Sequence, residues 1–143
     1  MSKRFTVIDH SADTGVKCTG ESREELFEVA AEGMFSILTD LNSIADRNRY
    51  AVALHADTYE NLLMAWLQEL LYLFSTKHFL FSKFSTSIQD TPDKILSLYG
   101  SCNGEPVDLD RHIINTEIKS VTYHQLTVQH SEKHWKARVI FDI

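Results

Sequence analysis

Hydrophobic and polar positions alternate at the start of this chain. Phe5-Thr6-Val7-Ile8-Asp9 and residues 16–20 read as two short strands, parted by the polar, turn-forming loop His10-Ser11-Ala12-Asp13-Thr14-Gly15. The period then becomes helical. Ser22-Arg23-Glu24-Glu25 matches a capping box, and Leu26, Phe27, Ala30, Ala31, Met34, Phe35 and Leu38 follow at the spacing of one helix face. Residues 50–54 read as a strand, and Asp57-Thr58-Tyr59-Glu60 offers a second helix start. The face built by Leu62, Leu63, Trp66, Leu67, Leu70, Leu71 and Phe74 is wider than a lone surface helix needs, so this helix is expected to pack on a sheet.

Beyond Phe79 the chain returns to strands, one through Leu80, Phe84 and Ile88 and another over residues 95–99, with a turn at Asp90-Thr91-Pro92-Asp93. Asn103-Gly104 is the strongest tight-turn signal in the chain. After an irregular stretch over residues 107–116 and the segment 117–124, strands are expected at 126–128 and 135–143. Helices in the first half and strands in the second do not make a regular βαβ alternation. The pattern predicts an α+β fold, two amphipathic helices on a mostly antiparallel or mixed β-sheet. With 143 residues and no linker, repeat or low-complexity segment, residues 1–143 are expected to form a single domain.

Composition narrows the function classes. Hydrophobic residues make up 43% and charged residues 24%, as in ordinary globular proteins. Fourteen Lys and Arg stand against 20 Asp and Glu, a formal charge of −6. Affinity for nucleic acid comes largely from cationic side chains, so stable direct nucleic-acid binding is not expected, and a basic protein surface or a cation is the better partner. Cys18 and Cys102 form neither a disulfide framework nor a clustered zinc site and read as reduced structural residues. The N-terminus lacks a signal-peptide pattern, and the greasy stretch 62–74 is too short and too polar to cross a bilayer, so a cytoplasmic or nuclear location is expected, with no membrane partner.

Candidate chemistry gathers at the two ends. In residues 135–143, alternation places Trp135, Ala137, Val139, Phe141 and Ile143 on one face and Asp142 on the other. The carboxylate that follows Ile143 would then crowd the Asp142 side chain, and neighbouring carboxylates repel unless a cation or a shared proton intervenes. Asp9, His10 and Asp13 form a second polar cluster. Asp13 and a terminal carboxylate could build an oxygen site for a hard cation, but a turn-capping Asp and a backbone-bonded His explain the same residues. Phosphate-cradle and nucleophile-elbow motifs are missing. Lys119, Thr122, Tyr123 and His124 could bind a partner or form an exposed strand rim.

Several of these strings resemble the archease family. The opening Phe5-Thr6-Val7-Ile8-Asp9-His10-Ser11-Ala12-Asp13-Thr14-Gly15-Val16 is similar to an Asp-His-Thr-Ala-Asp motif after a first strand. Glu24-Glu25-Leu26-Phe27, the helix from Leu62 to Leu71, Ile118-Lys119-Ser120-Val121-Thr122-Tyr123-His124 and Val139-Ile140-Phe141-Asp142-Ile143 follow in order. Ser11 stands where Thr is common and Ser120 where Ala is common. The resemblance implies a compact α+β domain and a metal-binding accessory protein, not itself an enzyme. It would activate the GTP-dependent RtcB-type RNA ligase of tRNA splicing by promoting ligase guanylylation and multiple turnover. It also implies metal ligands at Asp13, Asp142 and Ile143, with calcium expected and magnesium or manganese as alternatives. His10, Lys119 and His124 become candidates for facing the partner. The rival readings are a chaperone or modulator of an RNA-modifying enzyme such as a methyltransferase, and a metal-dependent hydrolase using His10 with the two aspartates.

Overall fold

Both helices begin where their side chains can satisfy free amides. In the computed structural model, which describes residues 4–9 and 13–143, helix α1 runs Arg23–Leu38. The Ser22 hydroxyl accepts the Glu25 amide at 3.0 Å, and the Glu25 carboxylate accepts the Glu21 amide at 2.7 Å, one residue further back than in the standard capping box. Helix α2 runs Tyr59–Lys77. Its cap is Thr58, which accepts the Asn61 amide at 3.0 Å, while the Asn61 side chain donates to Asp57 at 2.8 Å. It ends at His78, which takes up the left-handed conformation at φ 57° and donates its amide back to Phe74.

Among the described residues, seven strands form two antiparallel sheets. One has the order β1-β2-β7-β6, with β1 Phe5–Asp9, β2 Asp13–Gly20, β7 Trp135–Asp142 and β6 Ser120–His130. The other is β3-β5-β4, with β3 Asn48–Ala56, β5 Leu96–Pro106 and β4 Phe79–Asp90. The expected helices on antiparallel sheet are present, and the sheet is divided in two. Each helix touches a strand of each sheet, α1 against β2 and β4, α2 against β6 and β3. That double contact explains why their apolar faces are so broad: a helix covered on two sides buries more than one stripe. Trp66 lies at the centre, fully buried, with its indole N–H donating to the Phe27 carbonyl at 3.0 Å. Cys18 and Cys102 are buried free thiols, and burial pushes both up to about 12. Among the described residues, no helix is long and apolar enough to cross a membrane.

Two local expectations are corrected. Asn103-Gly104 is not a turn; it lies inside β5, where Gly104 pairs with Asn48 on one side and Phe81 on the other. The register of β4 shifts between Phe81 and Lys83, and the backbone there comes so close that a Cβ on Gly104 would lie 1.8 Å from the Leu80 carbonyl oxygen. Glycine serves close backbone approach here, not turn geometry. Gly104→Ala is therefore expected to cost about 1–3 kcal/mol through forced backbone movement, read as a melting temperature lowered by several degrees.

The second correction concerns residues 126–128, which are not a separate strand. β6 is continuous from Ser120, but between the pairs Thr122–Ile140 and Thr127–Arg138 residues 123–126 face only Val139 of β7. The extra length bulges outward, with Gln125 at φ 54° and Tyr123 exposed.

Candidate functional site

Pairing of β2 with β7 joins the two ends of the chain. Counting the antiparallel register from Gly20–Trp135 places Asp13 directly opposite Asp142, and β6 then sets Ser120 opposite Asp142 on the other side. Directly opposed residues point to the same face of a sheet, with Cβ atoms about 4.5–5.5 Å apart. Asp13, Asp142 and Ser120 thus form one row across three strands. Asp13 is half-buried and Asp142 exposed. The neighbouring row of opposite parity, Thr14, Phe141 and Val121, is buried beneath it.

Several contacts fix this row. The Thr14 hydroxyl donates to the Ile8 carbonyl at 3.0 Å, which holds the start of β2 against the end of β1. Gly15, next along, faces Ile140 so closely that a Cβ there would lie 2.4 Å from the Val139 carbonyl oxygen. The Lys119 amide donates to the Asp142 carbonyl at 2.7 Å. Ile143, at the end of the same strand, is half-buried and packs against the core.

The sequence candidates are distributed around this row. Asp13, Asp142 and Ile143 occupy one strand end. The exposed Lys119 adjoins it through its main chain. His124 is exposed on the β6 bulge, its amide donating to the Thr122 hydroxyl at 3.3 Å, and that hydroxyl in turn donates to the Ile140 carbonyl at 2.9 Å. His10 lies outside the described residues. Ser120 went unnoticed as a site residue, although the strand register, once known, places it beside Asp142.

Two carboxylates held face to face repel, and a sheet tolerates them when a cation or a proton lies between. The donor set suits a hard cation such as calcium, magnesium or manganese, which takes carboxylate, hydroxyl and main-chain oxygens. Among the described residues, no three His, Cys, Asp or Glu side chains cluster as metal ligands, so hydroxyl and main-chain oxygens would have to complete the set.

Charge is also concentrated in a second, buried place. Glu105 and His112 are each 1% exposed. Arg111 donates to Glu105 Oε1 at 2.5 Å, and the Ala45 amide donates to Oε2 at 2.7 Å. The Asp108 amide donates to His112 Nδ1 at 2.8 Å, which assigns the ring proton to Nε2, 2.9 Å from Glu105 Oε2. Arg111 above all, with the Ala45 amide and His112, holds the Glu105 carboxyl down at about 2 against its burial. Both Glu105 oxygens and both His112 ring nitrogens have partners, so the cluster clasps the segment after β5 to the turn before β3.

The architecture defines an α+β domain in which two helices pack on antiparallel sheets and an acidic row closes one strand end. The chain belongs to the archease protein family (MTH1598/TM1083), whose sequence profile matches residues 5–143. It is 36% identical to the protein archease of Methanosarcina barkeri over 143 residues, covering 100% of this chain and 98% of that one. It is also 36% identical to the protein archease of Methanothermobacter thermautotrophicus over 141 residues, 99% of each. Among solved structures, Methanobacterium thermoautotrophicum protein 1598 superposes with a TM-score of 0.88 at 35% identity, covering 99% of this chain and 100% of the other. A Thermotoga maritima archease, described as a possible chaperone, has a TM-score of 0.58 at 23% identity over 95% and 94% of the two chains, a likeness of fold.

Proposed function

We propose that this chain is a metal-carrying accessory protein that activates an RtcB-type RNA ligase by promoting its guanylylation, with no turnover of its own, in the cytoplasm or nucleus. The observation that carries the proposal is the opposition of Asp13 and Asp142 across β2 and β7. The sequence resemblance suggests the reaction, and the register offers a reason for the residues.

Asp13 and Asp142 would hold the cation, with a main-chain oxygen of Ile143 beside them. The bound ion would supply positive charge next to phosphate oxygens, the charge that phosphoryl transfer requires. The chain's own residues bind and present it. The Lys119 amide and the Thr14 hydroxyl keep the strand end fixed, so the two carboxylates are presented without first being ordered. Lys119, next to Ser120, and His124, on the β6 bulge, are exposed and would touch the partner.

An acidic accessory protein, −6 in formal charge, meets a basic ligase cleft with an electrostatic gain that speeds encounter more than it prolongs residence. Exposed charges are screened over about 8 Å at physiological salt. The test is a single-turnover guanylylation assay titrated with the purified chain at two salt concentrations. Stimulation is expected to fall as salt rises, after correction for the ligase alone. An equal stimulation at both salts would remove the electrostatic part of the proposal, and no stimulation at either would remove the ligase reading. Suppression of aggregation of unrelated clients would favour the chaperone reading instead.

A further inference from the structure

At the far end of the same strand pair lies a second cleft with different chemistry. Gly20 pairs with Trp135 seven residues along β2 from Asp13, about 24 Å away at the rise of an antiparallel strand. The start of α1 and the end of the β6–β7 hairpin bound an open cleft of about 560 Å³. One wall is aromatic. His130 stacks on Trp135 with ring centroids 4.0 Å apart and planes 7° apart, and Tyr59 meets Trp135 edge-on at 4.9 Å. The other wall carries Glu21 and Glu24.

We propose that this cleft receives an arginine or lysine side chain presented by a protein partner. The inference goes beyond the ligase reading and needs no metal. Aromatic rings attract a cation through their electron-rich faces, and a carboxylate opposite them adds a direct charge partner. The protein already uses this attraction within the wall: the Arg23 guanidinium lies 5.9 Å from the Tyr59 ring centre.

Arg23 also lines the cleft and lies 3.8 Å from the Glu24 carboxylate, so Glu21 is the carboxylate left to meet an incoming cation. Arg23 donates to Asp90 at 3.1 and 3.2 Å, to the Tyr59 hydroxyl at 2.8 Å and to the Ile88 carbonyl at 2.8 Å, so its charge is engaged away from Glu21. Glu24 accepts the Ile88 amide at 3.2 Å. Glu21 is exposed, and its carboxylate enters no ion pair among the described residues. An anion is the poorer occupant although a helix starts here. Ser22 already takes up the Glu25 amide, and Glu24 and Glu25 in the first turn offset the helix dipole. Because the cleft is open, the backbone that carries the cationic side chain can remain outside it, with its alkyl stem along the rings and its head group at Glu21.

Trp135 reports on the cleft directly, since the other tryptophan, Trp66, is fully buried in the core. The experiment is a fluorescence titration of the full chain with acetyl-arginine amide, acetyl-lysine amide, free arginine and the uncharged isostere acetyl-citrulline amide, repeated by calorimetry. The blocked arginine and lysine are expected to saturate the signal, and citrulline to bind at least about threefold more weakly. Glu21→Gln should weaken arginine binding by about the same factor without moving the melting temperature. Asp142→Ala should leave arginine binding unchanged, which separates this site from the acidic row. Equal affinity for citrulline, an unaltered Glu21→Gln variant, or no saturable signal would overturn the proposal. Binding of free arginine without the blocked form would also overturn it, because the occupant would then be a small metabolite and not a partner's side chain.

Discussion

Asp13→Ala and Asp142→Ala should each abolish stimulation of the ligase while leaving the melting temperature unchanged or slightly raised. Asp13 and Asp142 stand opposite each other across β2 and β7, and removing one of two like charges on paired strands relieves repulsion in the metal-free protein. Neither side chain belongs to the apolar core, so no cavity is opened. The contrast is Trp66→Ala. That change deletes a fully buried indole and its hydrogen bond to Phe27, at a cost of about 3–5 kcal/mol. It too should lose stimulation, but through unfolding. Melting curves with and without added calcium distinguish the cases: calcium should raise the melting temperature of the wild type and have little effect on either aspartate variant. A strongly lowered melting temperature for Asp142→Ala would make its role structural, and full stimulation by the variant would end the metal-carrier proposal.

Features fixed by neighbouring residues were legible in the sequence. Ser22 and Thr58 cap their helices because each hydroxyl needs only an amide three residues on, and the alternation in residues 135–143 put Asp142 opposite the core-facing Phe141 before any pairing was known. Features fixed by distant segments were not. Alternation assigns a face to a strand but not a partner, so the row Asp13–Asp142–Ser120 required the register of three strands to become visible. The family resemblance supplied two of its members, not the third. Asn103-Gly104 has the local chemistry of a turn, yet β3 and β4 pair on both sides of it and hold it extended. The aromatic cleft depends on a hairpin that stacks His130 on Trp135 and on the starts of both helices meeting there, three segments that no spacing rule connects. The clasp around Glu105 was equally hidden, because an acidic residue at a strand end ordinarily faces water.

That clasp also carries an expected effect on stability. Glu105→Ala should destabilise the protein by about 1–3 kcal/mol, the cost of leaving buried donors without their acceptor, while the half-exposed Arg111 regains water. The substitution would leave His112 Nε2, the Ala45 amide and Arg111 without their shared acceptor. The same geometry sets a pH dependence with a definite sign. Arg111 and the two N–H donors hold the Glu105 carboxyl down from its ordinary 4.5 to about 2, so folding favours its ionised form. Glu105's contribution is fully present above pH 4.5 and is lost as the pH falls from 4.5 towards 2, because protonation then binds the unfolded chain first. Other carboxylates titrate in the same range, so the informative quantity is a difference. The stability gap between wild type and Glu105→Gln, which keeps the shape and removes the charge, should be constant from pH 7 to about 5 and should shrink below 4.5. Chemical denaturation of the two proteins at a series of pH values measures it. A gap that stayed constant down to the acid limit would mean that folding does not favour the ionised form of Glu105. A variant as stable as wild type at neutral pH would show that the clasp does not hold the segment after β5 in place.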